Sequence, residues 1–232
     1  MKGKWAIAIC LVLSMVLIPS ALAGASQTIV VEPTNEDDTA NIQAAFGAAG
    51  LGGVVELTAG DFYLSHPVVI RNWSGTVRGQ GKDRTKLHTI ADPFPREPLP
   101  EDAYGPYSVA GMLMFMYDDG AVGELLVQGL GFRPTGLSIP EPTFGNEDIV
   151  PIFIGTGKLG AVAHVDTTWR DLRIEGDRSD RYPDGNMIFG MWFIRVPGTH
   201  VMSDVDFATS STFKHSDLSP DTNASELSRY TL

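Results

Sequence analysis

Three apolar runs, residues 112–117, 152–154 and 187–193, each end in polar or charged side chains. Asp119 follows the first run, with Tyr117 and Asp118 beside it. Lys158 follows the second and Arg195 the third. A short charged segment at 178–185 adds Arg181, Tyr182 and Asp184. Carboxylates, guanidinium groups and a phenol give and accept paired hydrogen bonds, which suits a polar ligand. Asp119, Arg181, Tyr182, Asp184 and Arg195 are therefore the candidate contact residues. Bond cleavage finds less support. Cleaving a glycosidic bond takes two positioned carboxylates, and eliminating across a uronate takes cations on the acid group and a base near the ring proton. The apolar runs supply neither, so no catalytic residue is assigned.

A second pattern positions charges from rung to rung. Val127-x-x-Leu130-x-Phe132 returns as Trp169-x-x-Leu172-x-Ile174 and then as Met202-x-x-Val205-x-Phe207, 42 and then 33 residues on. Apolar residues two apart give a strand one buried face, because side chains alternate. The two-residue gap breaks that alternation once, as a sharp bend would. The return of this bent unit predicts a chain winding into coils that bury one another. Aligned, the three copies place Gly131, Arg173 and Asp206 in one outward column, where Arg173 and Asp206 come within reach of each other; a catalytic pair is one reading and an exposed ladder ion pair the plainer one. Asp171 and Asp204 share the bend. Clustered carboxylates bind hard cations, so calcium is the one cofactor this pattern admits; solvated turn aspartates are the plainer reading.

Composition narrows the partners. The chain has 232 residues and a net charge of −11, enough for one core and repulsive to nucleic acid and anionic lipid. Residues 1–23 read as a signal peptide: Lys2 and Lys4, an apolar run over 5–18, Pro19, and Ala21-Leu22-Ala23 before Gly24. Removing it takes the charge to −13, and the run is short of the ~20 residues that span a bilayer. The expectation is a secreted or periplasmic protein with no stable membrane insertion after cleavage. Cys10, inside that segment, is the only cysteine, which excludes disulfides, thiolate catalysis and cysteine zinc sites from the remainder. His66, His88, His164, His200 and His215 are scattered without metal spacing and read as surface or turn residues.

The elements that must hold these groups begin at Asp37-Asp38-Thr39. Ile42, Ala45, Phe46 and Ala49 form a helical face, so a cap helix is expected over about 38–49. Short β-rich segments then follow, punctuated by glycines. Asp37-Asp38-Thr39-Ala40 with Ile42-Gln43-Ala44-Ala45, Gly52-Gly53-Val54-Val55-Glu56-Leu57-x-x-Gly60-x-Phe62-x-Leu64 and Val77-Arg78-Gly79-x-Gly81 resemble the opening of a pectate-lyase-superfamily chain. The likeness is dense over 37–90 and continues as coil pattern to about 210. It implies an all-β fold, a right-handed single-stranded parallel β-helix with an N-terminal capping α-helix. Few coils are expected, with the stack incomplete at its C-terminal end. It also implies polysaccharide as partner, bound or cleaved, with proline-rich insertions at 92–107 and 134–151 walling a groove floored by the apolar runs. Trp73, Trp169 and Trp192 are candidates to stack on sugar rings, Trp169 being the one expected in the core. A non-catalytic structural or glycan-binding module is the competing reading. The β-helix domain is expected over 24–212 and an irregular tail over 213–232, with self-association at the open last coil.

Overall fold

The computed structural model describes residues 26–91, 94–98, 108–134, 149–156, 158, 160–175, 188–208, 211–216 and 229–231. The chain runs β1 (Thr28–Val31), α1 (Thr39–Ala49), β2 (Gly53–Leu57), β3 (Gly60–Leu64), β4 (Val68–Arg71), β5 (Gly75–Arg78), β6 (Thr85–Thr89) and β7 (Glu97–Pro98). It continues through β8 (Ser108–Met116), β9 (Val122–Arg133), β10 (Ile149–Gly155), β11 (His164–Glu175), β12 (Ile188–Ile194), β13 (Thr199–Ala208), β14 (Ser211–Ser216) and β15 (Arg229–Thr231). Two sheets take these strands in turn. Sheet A follows β1-β2-β5-β9-β11-β13-β15, with β3 and β6 forming a second arm beside the far half of β9; sheet B follows β4-β8-β10-β12-β14. Every pairing on these paths is parallel. The exception is β7, which lies antiparallel on β8.

Register explains why the signature recurs. Leu172 is the Cα partner of Leu130 on one side and Val205 on the other, and Trp169 stands between Val127 and Met202. The second of these rows extends back through Val77 and Val55 to Ile29. A parallel row joins Phe62, Leu87, Phe132, Ile174 and Phe207. From sheet B, Ile70, Phe115, Ile154 and Phe193 face them, and all belong to one buried cluster or pack against it. Rung-on-rung burial of this kind is the main stabilising term, because each strand shelters the apolar face of the next.

The gap in the signature is a left-handed residue. Gly129, Asp171 and Asp204 have φ of 69°, 51° and 53°, and the register skips all three. Aspartate tolerates this region better than most residues. At Gly129 glycine is needed, since a Cβ would meet the Gly79 carbonyl oxygen at 2.9 Å. Gly131 is confined in the same way, since a Cβ there would lie 2.5 Å from the Lys82 carbonyl oxygen.

Helix α1 begins one residue after its expected start. Its buried face is Ile42, Ala45, Phe46 and Ala49, the face read from the spacing. The aspartates divide their labour differently from a simple cap. Asp37 Oδ1 accepts from the Thr39 N–H at 3.0 Å. Asp38 is buried and accepts from Thr34 N at 2.9 Å and Tyr63 N at 3.0 Å. It thereby ties the helix entry to the strand beside it. Within 213–232, expected to be irregular, the chain adds most of β14 and all of β15. The segment read as a leader lies outside the described residues. Among those described, no helix is long and apolar enough to cross a membrane.

Candidate functional site

The outward residues of sheet A stack in columns. One column reads Glu56, Arg78, Gln128, Arg170 and Ser203. On the second arm, Asp61, Lys86, Gly131, Arg173 and Asp206 form another, and Tyr63, His88 and Arg133 a third. Alternation along each strand demands this, since the intervening residues fill the core.

The columns are cross-linked before any ligand arrives. Arg78 Nε lies 2.8 Å from Glu56 Oε2, and Gln80 Nε2 donates to Glu56 Oε1 at 2.9 Å. His88 Nε2 is 2.8 Å from Asp61 Oδ1, so that nitrogen donates, and the Tyr63 ring lies 5.4 Å from the imidazole. Arg133 Nη2 donates to Glu175 at 3.0 Å, a hydrogen bond that raises the guanidinium pKa. Arg78, His88 and Arg133 each therefore sit with a carboxylate on these columns.

Around the bend the pairing is denser. Lys82 Nζ stands 2.6 Å from Asp204 Oδ1 and 3.1 Å from Asp206 Oδ2. Arg173 Nη2 shares that same oxygen, Asp206 Oδ2, at 3.2 Å, and Arg173 also pairs with Asp83. Hydrogen bonds from Lys82 and then Arg173 hold Asp206 below the usual aspartate range, and the bond to Asp204 raises Lys82. Asp171 Oδ2 accepts from the Lys82 main-chain N–H at 3.3 Å. Both bend aspartates thus bond to Lys82, Asp204 to its ammonium group and Asp171 to its main-chain N–H. Among the described residues no group of three or more His, Cys, Asp or Glu side chains gathers as a metal site.

Two of the five expected contact residues are described, and both touch the same turn. Asp119 Oδ1 accepts from Val162 N at 3.0 Å, while the Arg195 carbonyl accepts from Ala163 N at 3.2 Å. Asp119 remains exposed. The Arg195 side chain is only 4% exposed, so it does not offer the surface contact expected of it. Its backbone is left-handed, φ 53°. Arg181, Tyr182 and Asp184 lie outside the described residues.

The expected groove floor is closed. Outward side chains of sheet B, including Met114, Met116, Phe153 and Trp192, form a second buried cluster. Trp73 and Trp192 are 5% exposed and Trp169 is fully buried, so none presents a ring to solvent. His200, read as a surface or turn histidine, is also interior. Its Nε2 faces the Val196 carbonyl oxygen at 2.9 Å and so carries the proton. Its Nδ1 then accepts from the Thr167 hydroxyl at 2.8 Å, and Thr167 Oγ1 accepts from Trp169 Nε1 at 2.7 Å. This chain of hydrogen bonds is sealed in the core and stabilises it.

The sequence pattern located the Arg173 and Asp206 column, but it did not single out Glu56, Arg78, Gln128 and Arg170. Their signal was parity, being the positions that alternate with core residues. No family model, curated protein or solved structure matches this chain.

Proposed function

We propose that this chain is a right-handed parallel β-helix of the pectate-lyase type and that it binds a neutral polysaccharide without cleaving it. The ligand lies along the outer face of sheet A. The observation that carries the reading is the polar column Glu56, Arg78, Gln128, Arg170 and Ser203, repeated once per rung. Rungs are ~4.8 Å apart, so a polymer laid along the stack meets guanidinium, amide and carboxylate groups at regular intervals. Sugar hydroxyls both donate and accept, and these groups answer them in pairs. Each contact is weak on an exposed surface, and affinity accumulates from many of them on one chain.

Charge selects the class of polymer. Arg78, Arg133, Arg173 and Lys82 are already paired with carboxylates, and the whole chain is acidic. A polyuronate would be repelled at long range and would have to displace those partners. Neutral sugars need displace only water. The sealed outer face of sheet B and the internal pairing of the bend carboxylates favour binding over turnover. A leader at 1–23 would put this surface where extracellular glycans are met.

Affinity electrophoresis against neutral glucans, mannans and xylans and against polygalacturonate and alginate tests the proposal. Retardation by a neutral polymer is expected, insensitive to salt and weakened about tenfold by replacing Gln128 and Arg170 together with alanine. Retardation confined to the acidic polymers, or release of shortened products, would overturn it.

A further inference from the structure

Strand β4 is one end of sheet B, and an end strand carries backbone groups that another strand can take. Asn72 donates its N–H to Met116 of β8 at 2.8 Å, so alternation turns Val69 and Arg71 the other way. Val69 nevertheless has both of its main-chain groups engaged. Gln43 Nε2 donates to the Val69 carbonyl oxygen at 2.8 Å, and Val69 N donates to Gln43 Oε1 at 2.8 Å. A side-chain amide carries one donor and one acceptor side by side, as a peptide group does. Gln43 therefore pairs with Val69 as one residue of a neighbouring strand would. Ile42 and Phe46, buried on the same helix, hold it there. Beyond Gln43 the edge opens. Gly47, Leu51, Arg71 and Asn72 help line a pocket of about 480 Å³, and Leu51 is 68% exposed.

We infer that Gln43 is an edge guard: by engaging both main-chain groups of Val69 it keeps strand β14 of a second copy of this chain from joining sheet B beside β4. The second copy is singled out by direction and by matching ends. Sheet B runs from β4 to β14 with every strand on that path parallel, so an added β14 would continue it without reversal. Sheet A ends correspondingly on β1 and β15, so one docking would extend both sheets together. Among the described residues, β14 pairs with β12 alone and β15 with β13 alone. Such a head-to-tail contact does not close on itself and would propagate.

Gln43→Ala tests this, since alanine keeps the helix and removes the amide. Sedimentation velocity over a concentration series is expected to show at least about tenfold stronger self-association than the parent chain. Hydrogen exchange at the Val69 amide should accelerate in the dilute, dissociated variant. Adding Val69→Pro, which deletes the N–H an incoming strand would use, should return the variant to the parent's sedimentation. Circular dichroism on each variant separates association from unfolding. A Gln43→Ala chain that stays folded and no more associated than the parent overturns the inference. So does association that Val69→Pro fails to suppress, or an unchanged Val69 exchange rate.

Discussion

Lys82 Nζ lies 2.6 Å from Asp204 Oδ1, joining the loop before β6 to a bend on β13 that comes 122 residues later. The contact fastens the connection between the two arms of sheet A onto rungs beyond its own. It also places a fixed positive charge among the carboxylates of the bend, where a free cation would otherwise be the natural counter-ion.

Lys82→Met should therefore lower the thermal midpoint, because Asp204 and Asp206 then face each other without the ammonium group. The loss should shrink at about 1 M salt, where charges are screened within ~3 Å. A chelator should leave the parent chain's midpoint unchanged. Calorimetry with and without chelator checks both, and a chelator-dependent midpoint would mean that a metal shares this work.

Leu172→Ala should cost about 2–5 kcal/mol, since it empties a site between Leu130 and Val205 with little room to collapse. Arg173→Ala, the next residue and outward, should cost far less. The contrast is measured by denaturant unfolding of the two variants. Equal losses would mean that parity along β11 does not separate core from surface.

Parity made most of the scaffold legible. Val127, Leu130 and Phe132 were readable as one rung because apolar alternation is local, and the break in it marked the left-handed bend. The cap helix was visible in Ile42, Ala45, Phe46 and Ala49. Contacts closed over long stretches of chain were not visible. Nothing near Lys82 announces Asp204, and nothing near Val69 announces Gln43. Arg195 was chosen only as a polar residue after an apolar run, a position that carries no signal for its burial. The closed face of sheet B was misread for a different reason. Met114, Phe153 and Trp192 were seen to be apolar, but apolar residues on a strand's second face fit a ligand floor as well as a covered surface.

Thr167→Val should destabilise by about 1–3 kcal/mol despite its equal size, because it withdraws the hydroxyl that accepts from Trp169 and donates to His200 in the core. Thr167→Ser should recover most of the loss. Denaturant midpoints of the three chains measure this, and a neutral valine variant would mean that the buried hydrogen bonds are not what holds His200.

Acid should probe the helix entry. Burial alone would raise Asp37, but hydrogen bonds from Ser65 and Thr39 outweigh it and bring its carboxyl from 3.8 down to about 2. A depressed native value adds stability above the unfolded pKa and loses it as pH falls through the folded one. The contribution is therefore complete above about pH 4 and fades between pH 3.8 and 2. Asp37→Asn should be less stable at neutral pH and should lose that part of the acid slope. Unfolding midpoints from pH 5 to 2 check it, and parallel curves for the two chains would contradict it.

Successive rungs set their outward residues over one another, and cysteine cross-linking reads that stacking directly. Cys10, the only native thiol, is first replaced by serine. Gln128→Cys with Arg170→Cys, and Arg170→Cys with Ser203→Cys, join Cα partners on neighbouring strands about 4.8 Å apart, within disulfide reach. Gln128→Cys with Ser203→Cys spans two rungs, about 10 Å, and is out of reach. The prediction is rapid oxidation of both neighbouring pairs and a free-thiol count of two for the skipped pair. Cross-linking of the skipped pair as fast as its neighbours, or of neither neighbouring pair, would contradict it.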